Sequence, residues 1–295
     1  MQLKLKKKHM DRLIIKIYEL LPDFIKKSVS GRNKLRFVKD FFLKDKNGHK
    51  TTKVKIQKSY DRIKVEFNFV APVRIALKAK KRGVESTLLR NSFYLLNKFS
   101  KNSNLIIYDV GANYGFLSLV WAKATLKRNG FVFCFEPSPT VSKITEKNIF
   151  INGLNNTKLL KKAVGNMNGS IKIYDSLTTS NIEPTDNSKP VDVEIITLDM
   201  FSDLEQIEKV DLIKIDVDGI ELDILNGAKK VLEKYKPILI VETNDDSRIL
   251  EFLWSLDYTI LNMKLMKVKK DENIPHNIFA VDETAYNNVY EIIAP

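Results

Sequence analysis

Four carboxylates each close a run of β-forming residues: Asp109 after "NLIIY", Glu136 after "FVFCF", Asp216 after "DLIKI" and Glu242 after "PILIV". An acid at the end of a strand can accept hydrogen bonds from a ligand lying beyond the sheet, which is where open α/β sheets bind their ligands. Between the first two stands Gly111-Ala112-Asn113-Tyr114-Gly115, followed by an apolar-periodic segment. Glycines in such a loop let the backbone approach a ligand closely, and the amides of the following helix favour polar or anionic groups. Asp109 suits an amino group or a hydroxyl. Glu136, about twenty residues after the loop, suits both hydroxyls of a ribose, so a nucleoside-type cofactor is expected.

The same loop excludes other ligands. A phosphate-cradling loop needs Gly-Lys-Ser/Thr at the helix start, where this chain has Tyr114-Gly115-Phe116, which argues against a kinase or other NTPase. A dinucleotide fingerprint needs a middle glycine to admit the pyrophosphate, and the loop lacks it. S-adenosylmethionine has a ribose for Glu136 and an aminoacyl tail for the loop amides, and it needs no pyrophosphate cradle.

The elements that must position these groups follow from periodicity. From residue 104 onward, strands alternate with helix-length segments, the pattern of a parallel sheet covered on both faces. Strands are expected at 105–110, 131–135, 157–164, 211–216 and 237–242, and near 258–263 and 276–281. Helices are expected at 114–128, 139–151, 220–234 and 246–255. "GSIKIYDS" and "VDVEIITL" read as an inserted antiparallel hairpin, with the Ser/Thr/Asn/Pro-rich segment 176–190 as its long loop.

Residues 1–82 carry 25 Lys and Arg against 7 Asp and Glu, a net of +18, whereas 83–295 carry 24 against 29, a net of −5. The division predicts a basic N-terminal α/β extension over 1–82 and the main domain over 83–295. Met10, Leu13, Ile14, Ile17, Leu20, Leu21, Phe24 and Ile25 fall at helical spacing over 10–29, and 51–79 alternates as strands do. The helix either packs on its own domain or meets a membrane surface or partner. The basic charge is either a solvated surface or a contact for an anionic membrane, an acidic glycan or another phosphate-rich partner. No stretch approaches the ~18 apolar residues of a membrane span, and no small-residue cleavage site follows the N-terminus, so a cytoplasmic protein, peripheral at a membrane if the extension docks there, is expected. Cys134, the single cysteine, sits in an apolar run and reads as a small core residue.

The segments "IIYDVGANYGFLSLVWA", "CFEPSPTVSKITEKNIFINGLNN", "KKAVGNMNGSIKIYD", "EIITLDM" and "VDLIKIDVDGIELDILNGAKKVLEKYKPILIVETN" together resemble the FkbM family of S-adenosylmethionine-dependent methyltransferases, over about residues 83–282. The resemblance implies a Rossmann-like class I methyltransferase fold with a seven-stranded, mostly parallel sheet and an inserted β-hairpin. It implies an O-methyltransferase acting on sugar, glycan or natural-product hydroxyls. By position, Asp109, Gly111, Asn113 and Gly115 would form the cofactor loop, and Glu136, with Pro137 behind it, the ribose side. Where the family usually has "IDVEG", this chain reads Ile215-Asp216-Val217-Asp218-Gly219.

Methyl transfer from a sulfonium is an in-line displacement, so the protein must align the acceptor oxygen and help remove its proton. Asp216 occupies the edge that faces the methyl in such folds, and Glu242 closes the next strand. Asp216, Glu242 and Asn244 could also meet as hard oxygen ligands for Mg²⁺. His276 in "IPHNIFAV" is the only histidine outside the extension and could serve as general base. Plainer readings stand beside these: Asp216 as a helix cap, Glu242 as a polar strand end, His276 as structural, and Asp218 and Glu221 as caps. Lys214 is expected to point to the opposite face of its strand or to snorkel. Two alternatives remain: an RNA ribose methyltransferase using the basic extension, and a noncatalytic binding module that keeps the fold.

Overall fold

The computed structural model describes residues 44–45, 48–100, 103–175, 189–270 and 272–290. The helix expected over 10–29 and nearly all of the loop expected over 176–190 lie outside the described residues. Contacts divide the chain into two compact units, Met1–Ile56 with Asn68–Gly83, and Gln57–Phe67 with Val84–Pro295.

In the first unit, the short strands β1 (Lys44–Asp45) and β2 (Gly48–His49) pair antiparallel. The strands β3 (Thr51–Tyr60) and β4 (Ile63–Pro72) form a hairpin whose turn end belongs to the second unit. Along β3, buried Val54 and Ile56 alternate with exposed Lys53 and Lys55, the period of a strand with one wet face. The strand pattern expected up to residue 79 stops earlier, because Val73–Arg82 is a helix, α1. Alanines and long basic side chains favour a helix, Pro72 stands just before its first turn where no amide is needed, and Ala76 and Ala79 form its buried stripe.

The second unit opens with the hairpin turn and α2 (Ser86–Phe99), where Tyr60 packs on Phe93 at a ring distance of 6.0 Å. The chain then runs through β5 (Ile106–Val110), α3 (Phe116–Thr125), β6 (Phe131–Phe135), α4 (Pro139–Ile151) and β7 (Thr157–Leu160). Next come β8 (Ala163–Val164), β9 (Gly169–Asp175), β10 (Lys189–Ile196) and α5 (Leu198–Leu204). The chain closes with β11 (Leu212–Ile215), α6 (Glu221–Asn226), α7 (Lys229–Tyr235), β12 (Ile238–Glu242), α8 (Ser247–Ser255), β13 (Tyr258–Leu261), β14 (Asn277–Asp282) and α9 (Glu283–Tyr290).

The principal sheet has seven strands in the order β13-β14-β12-β11-β5-β6-β7. Six strands run in one direction, and β14 alone is reversed, antiparallel to both of its neighbours, β12 and β13. This is the Rossmann-like α/β architecture that the alternation of elements predicts. The inserted hairpin is also present: β9 and β10 pair antiparallel, and β8 joins them in a separate three-stranded sheet. Two differences from expectation have local causes. The strand expected at 157–164 is two strands in different sheets, and the helix expected at 220–234 breaks at Gly227-Ala228 between α6 and α7.

The core is made on both faces of the sheet. Tyr108, Phe133 and Phe135 stand edge-on to Phe201 of α5 with centroids 4.9–5.4 Å apart, and the Tyr108 hydroxyl meets the Ser202 hydroxyl at 3.0 Å. Trp121 of α3 is fully buried and its indole N–H donates to Ser92 Oγ at 3.0 Å. Each such aromatic burial contributes about 2–3 kcal/mol. Cys134 lies within β6, fully buried, and burial beside Asp109 pushes its thiol far above the ordinary range. No helix among the described residues is long and apolar enough to cross a membrane.

Candidate active site

The strand order reverses between β5 and β11, the place where an open parallel sheet leaves a crevice beyond its carboxyl ends. Asp109 and Lys214 are register partners across that junction. Asp109 is fully buried: the Ser118 hydroxyl donates to Oδ2, and Oδ1 faces Lys214 Nζ at 3.5 Å with no hydrogen bond of its own. The Asp109 carboxylate is thus sealed beneath the loop, where it engages Ser118 and Lys214.

The two glycines of the loop also meet neighbouring protein segments closely. Gly111 has φ +77°, and a Cβ there would lie 1.9 Å from the backbone oxygen of Asp216. Gly115 also has φ +77°, and its Cβ would lie 2.9 Å from Thr145 Cγ2. The close approach that requires glycine is thus between protein segments, and it locks β5 onto the end of β11. Asn113, at φ +50° and exposed, shapes the loop between them: its Oδ1 accepts from the Tyr114 amide at 2.8 Å, and its carbonyl accepts from the Thr145 hydroxyl.

Glu136 lies at the end of β6, 6% exposed, and its two oxygens accept the amides of Asn113 and Ser138, each at 2.9 Å. Burial pushes its carboxyl up to about 7, against the pull of those two amides and of Lys214. Half-buried Pro137 leads into Ser138, whose Oγ caps α4 by accepting from Val141 N–H at 3.0 Å. The Ser138 hydroxyl also donates to Asp175 at the end of β9, which accepts from Thr140 at 2.6 Å as well. The inserted hairpin is tied in this way to the turn that follows Glu136.

A second cluster closes the crevice along β11, β12 and β14. Lys214, 4% exposed, donates to the carbonyls of Val110 at 3.2 Å and Gly111 at 2.9 Å, and its ammonium lies 3.3 Å from Asp216 Oδ2. Of the two expectations for Lys214, the opposite face or a snorkelling stem, the second describes it: the long side chain reaches back over the strand ends. A usable signal was present in the sequence, since residues i and i+2 of a strand share a face, and Lys214 precedes Asp216 by two. Asp216 and Glu242 stand side by side, each one residue beyond the register pair Ile215–Val241, and His276 Nε2 stands 2.8 Å from Glu242 Oε1. The antiparallel register pairs Glu242 with Asn277, which brings His276 alongside. Thr243 fixes that end of β14, its amide donating to the His276 carbonyl at 2.8 Å and its hydroxyl to the Pro275 carbonyl at 2.9 Å.

The two carboxylates are driven apart. Burial raises both, but the ammonium of Lys214 holds Asp216 below the usual range. Glu242 is pushed up to about 7 by burial and by the charge of Asp216, with His276 opposing. A pair split in this manner marks a site able to move protons.

The magnesium set expected from Asp216, Glu242 and Asn244 does not form. Asn244 is exposed and its amide donates to Glu221 at 3.1 Å, while the cation beside Asp216 is Lys214. Among the described residues no group of three or more His, Cys, Asp or Glu is arranged to hold a metal. Glu221 is buried and accepts the amides of Val217 and Gly219 at 3.1–3.3 Å, which makes it the cap of the turn ahead of α6.

Residues 109–260 match the profile of the Methyltransferase FkbM domain. The chain is 28% identical over 148 residues to the 2-O-methyltransferase NoeI of Sinorhizobium fredii, a match covering 44% of this chain and 59% of that protein. It is 25% identical over 175 residues to the hexuronic acid methyltransferase AglP of Haloferax volcanii, covering 57% of this chain and 68% of that one. Among solved structures, the methyltransferase FkbM of Methylobacillus flagellatus aligns with a TM-score of 0.42 at 17% identity, over 60% of this chain and 43% of its own.

Proposed function

The chain belongs to the FkbM methyltransferase family, and on that premise we propose that it is an S-adenosylmethionine-dependent O-methyltransferase whose acceptor is a sugar, glycan or natural-product hydroxyl. The reading is carried by the convergence of Asp216, Glu242 and His276 beyond the ends of three neighbouring strands, next to the Gly111–Gly115 loop. A hydroxyl becomes an effective nucleophile only as its proton leaves, so a positioned base contributes directly to the rate. Glu242, raised to about 7, is a stronger base than an ordinary carboxylate and is still ionised in a useful fraction at neutral pH. From Glu242 the proton passes to the exposed imidazole of His276 at 2.8 Å and so to solvent.

The donor side also fits. Each oxygen of Glu136 accepts one amide hydrogen bond and retains capacity for a second donor, which suits the two hydroxyls of a ribose. The loop Gly111–Gly115 borders the same crevice, with Asn113 exposed. When bound, the donor supplies a methyl group carried on a sulfonium. The relatives named for 2-O-methylation and hexuronic acid methylation support a carbohydrate hydroxyl as the acceptor, and the +18 charge of residues 1–82 suits an acidic one.

Isothermal titration of S-adenosylmethionine into the wild type and into Glu136→Ala tests the reading. Micromolar binding is expected, weakened at least tenfold in the variant, about 1.4 kcal/mol. The absence of any heat with S-adenosylmethionine would overturn it.

A further inference from the structure

We propose that Lys214 is a positioning residue of this site: acting through Asp216, it fixes which carboxylate of the Asp216–Glu242 pair holds their shared proton, and so sets the pH at which Glu242 can accept one. The inference rests on the reading of Asp216, Glu242 and His276 as the proton-accepting cluster.

The geometry of the ammonium carries it. Four oxygens surround Lys214 Nζ: the carbonyls of Val110 and Gly111 at 3.2 and 2.9 Å, Asp109 Oδ1 at 3.5 Å and Asp216 Oδ2 at 3.3 Å. Three of them come from β5 and the loop after it, and Asp109 is sealed and held in turn by Ser118. The charge that Asp216 meets is therefore an immobilised one, built into the sheet junction. Glu242 has no comparable partner, since it faces Asp216, Asp218 and the imidazole of His276, which is cationic only when protonated. Two carboxylates at neighbouring strand ends repel when both are ionised, so one of them holds a proton more tightly than an isolated acid would. A fixed cation against one of them assigns that proton to the other, and the opposite directions in which Asp216 and Glu242 are driven agree.

The sign of the perturbation follows. Removing the cation raises the proton affinity of the pair, so its full ionisation moves to higher pH. Removing the charge of Asp216 has the reverse effect, because Glu242 then loses its like-charged neighbour. Lys214→Gln keeps a donor for the carbonyls of Val110 and Gly111 while deleting the charge, and Lys214→Arg restores the charge.

The experiment is an NMR titration of full-length protein labelled with ¹³C in the histidine rings, from pH 5 to 9. The chain has three histidines, and His276→Asn assigns the resonance of interest. In the wild type, His276 is expected to report a step near pH 7 from its neighbour Glu242, absent in Glu242→Gln. In Lys214→Gln the step is expected to move up by at least one pH unit, a tenfold change in proton affinity, and Lys214→Arg returns most of it. A step left in place by Lys214→Gln, or an arginine variant that behaves like the glutamine one, overturns the role of Lys214. Should Lys214→Gln fail to fold by circular dichroism, Asp216→Asn reads the same link, and a step that does not fall below its wild-type position overturns it. Donor titration on the same samples separates the two readings. Wild type that binds no S-adenosylmethionine sinks the methyltransferase reading without moving the step, whereas donor binding with an unmoved step in Lys214→Gln sinks only the role of Lys214.

Discussion

Glu136 makes a prediction about stability that can be worked from its environment. Its carboxyl is 6% exposed and burial raises it from 4.5 to about 7. A carboxyl whose folded value lies above its unfolded one binds its proton more tightly in the native state. Its contribution to stability is therefore full below 4.5 and is lost as the pH rises through 7. With those two values the loss between pH 5 and pH 8 comes to about 2.5 kcal/mol. Glu136→Gln removes the titration while keeping an acceptor for one of the two amides, so its own cost of about 1 kcal/mol for the lost second bond does not vary with pH. Urea unfolding of wild type and variant at pH 5, 6, 7 and 8 reads the difference. The wild type should hold a clear advantage at pH 5 and lose about 2.5 kcal/mol of it by pH 8. Parallel curves, or a wild type that gains on the variant as the pH rises, would refute the argument, since the second result is what a carboxylate governed by Lys214 rather than by burial would give.

Two further substitutions test the local architecture. Gly111→Ala places a methyl 1.9 Å from the Asp216 carbonyl oxygen at φ +77°; the left-handed backbone and the overlap together should cost about 3 kcal/mol, read as a lower urea midpoint with an unchanged slope. Ser138→Ala removes the cap on Val141 N–H and the hydroxyl that reaches Asp175; a loss of about 1–2 kcal/mol is expected in the same assay, and a change within error would show that the cap is replaced by water.

What was legible in the sequence is whatever depends on near neighbours along the chain. The strands that carry Asp109 and Glu242 near their ends, and the one just before Glu136, were visible because apolar β-forming runs stop there, and the alternation with helix-length segments led to the parallel sheet. The inserted hairpin was visible for the same reason. Helices were missed where the signal was ambiguous. Val73–Arg82 continues an alternating segment, and only Pro72 and the spacing of Ala76 and Ala79 distinguish it.

The sequence by itself thus determined which groups arrive at the carboxyl edge of the sheet. The tertiary structure decided which of them face one another, and there the reading changed. Asp109 and Lys214 are 105 residues apart in number yet partners in register, so the carboxylate at the end of β5 lies against a buried ammonium. Asn244 and Glu242 are neighbours in the chain, but one turns to Glu221 and the other to Asp216 and His276, which removes the expected metal set. Gly111 and Gly115 read the same in a ligand loop and in a tight junction between strands and helices; only the positions of Asp216 and Thr145 tell the two apart. The physical reason is one of range. Propensity and periodicity act over a few residues, whereas the direction of a charged side chain and its proton affinity are set by whichever desolvated charges packing brings within about 4 Å.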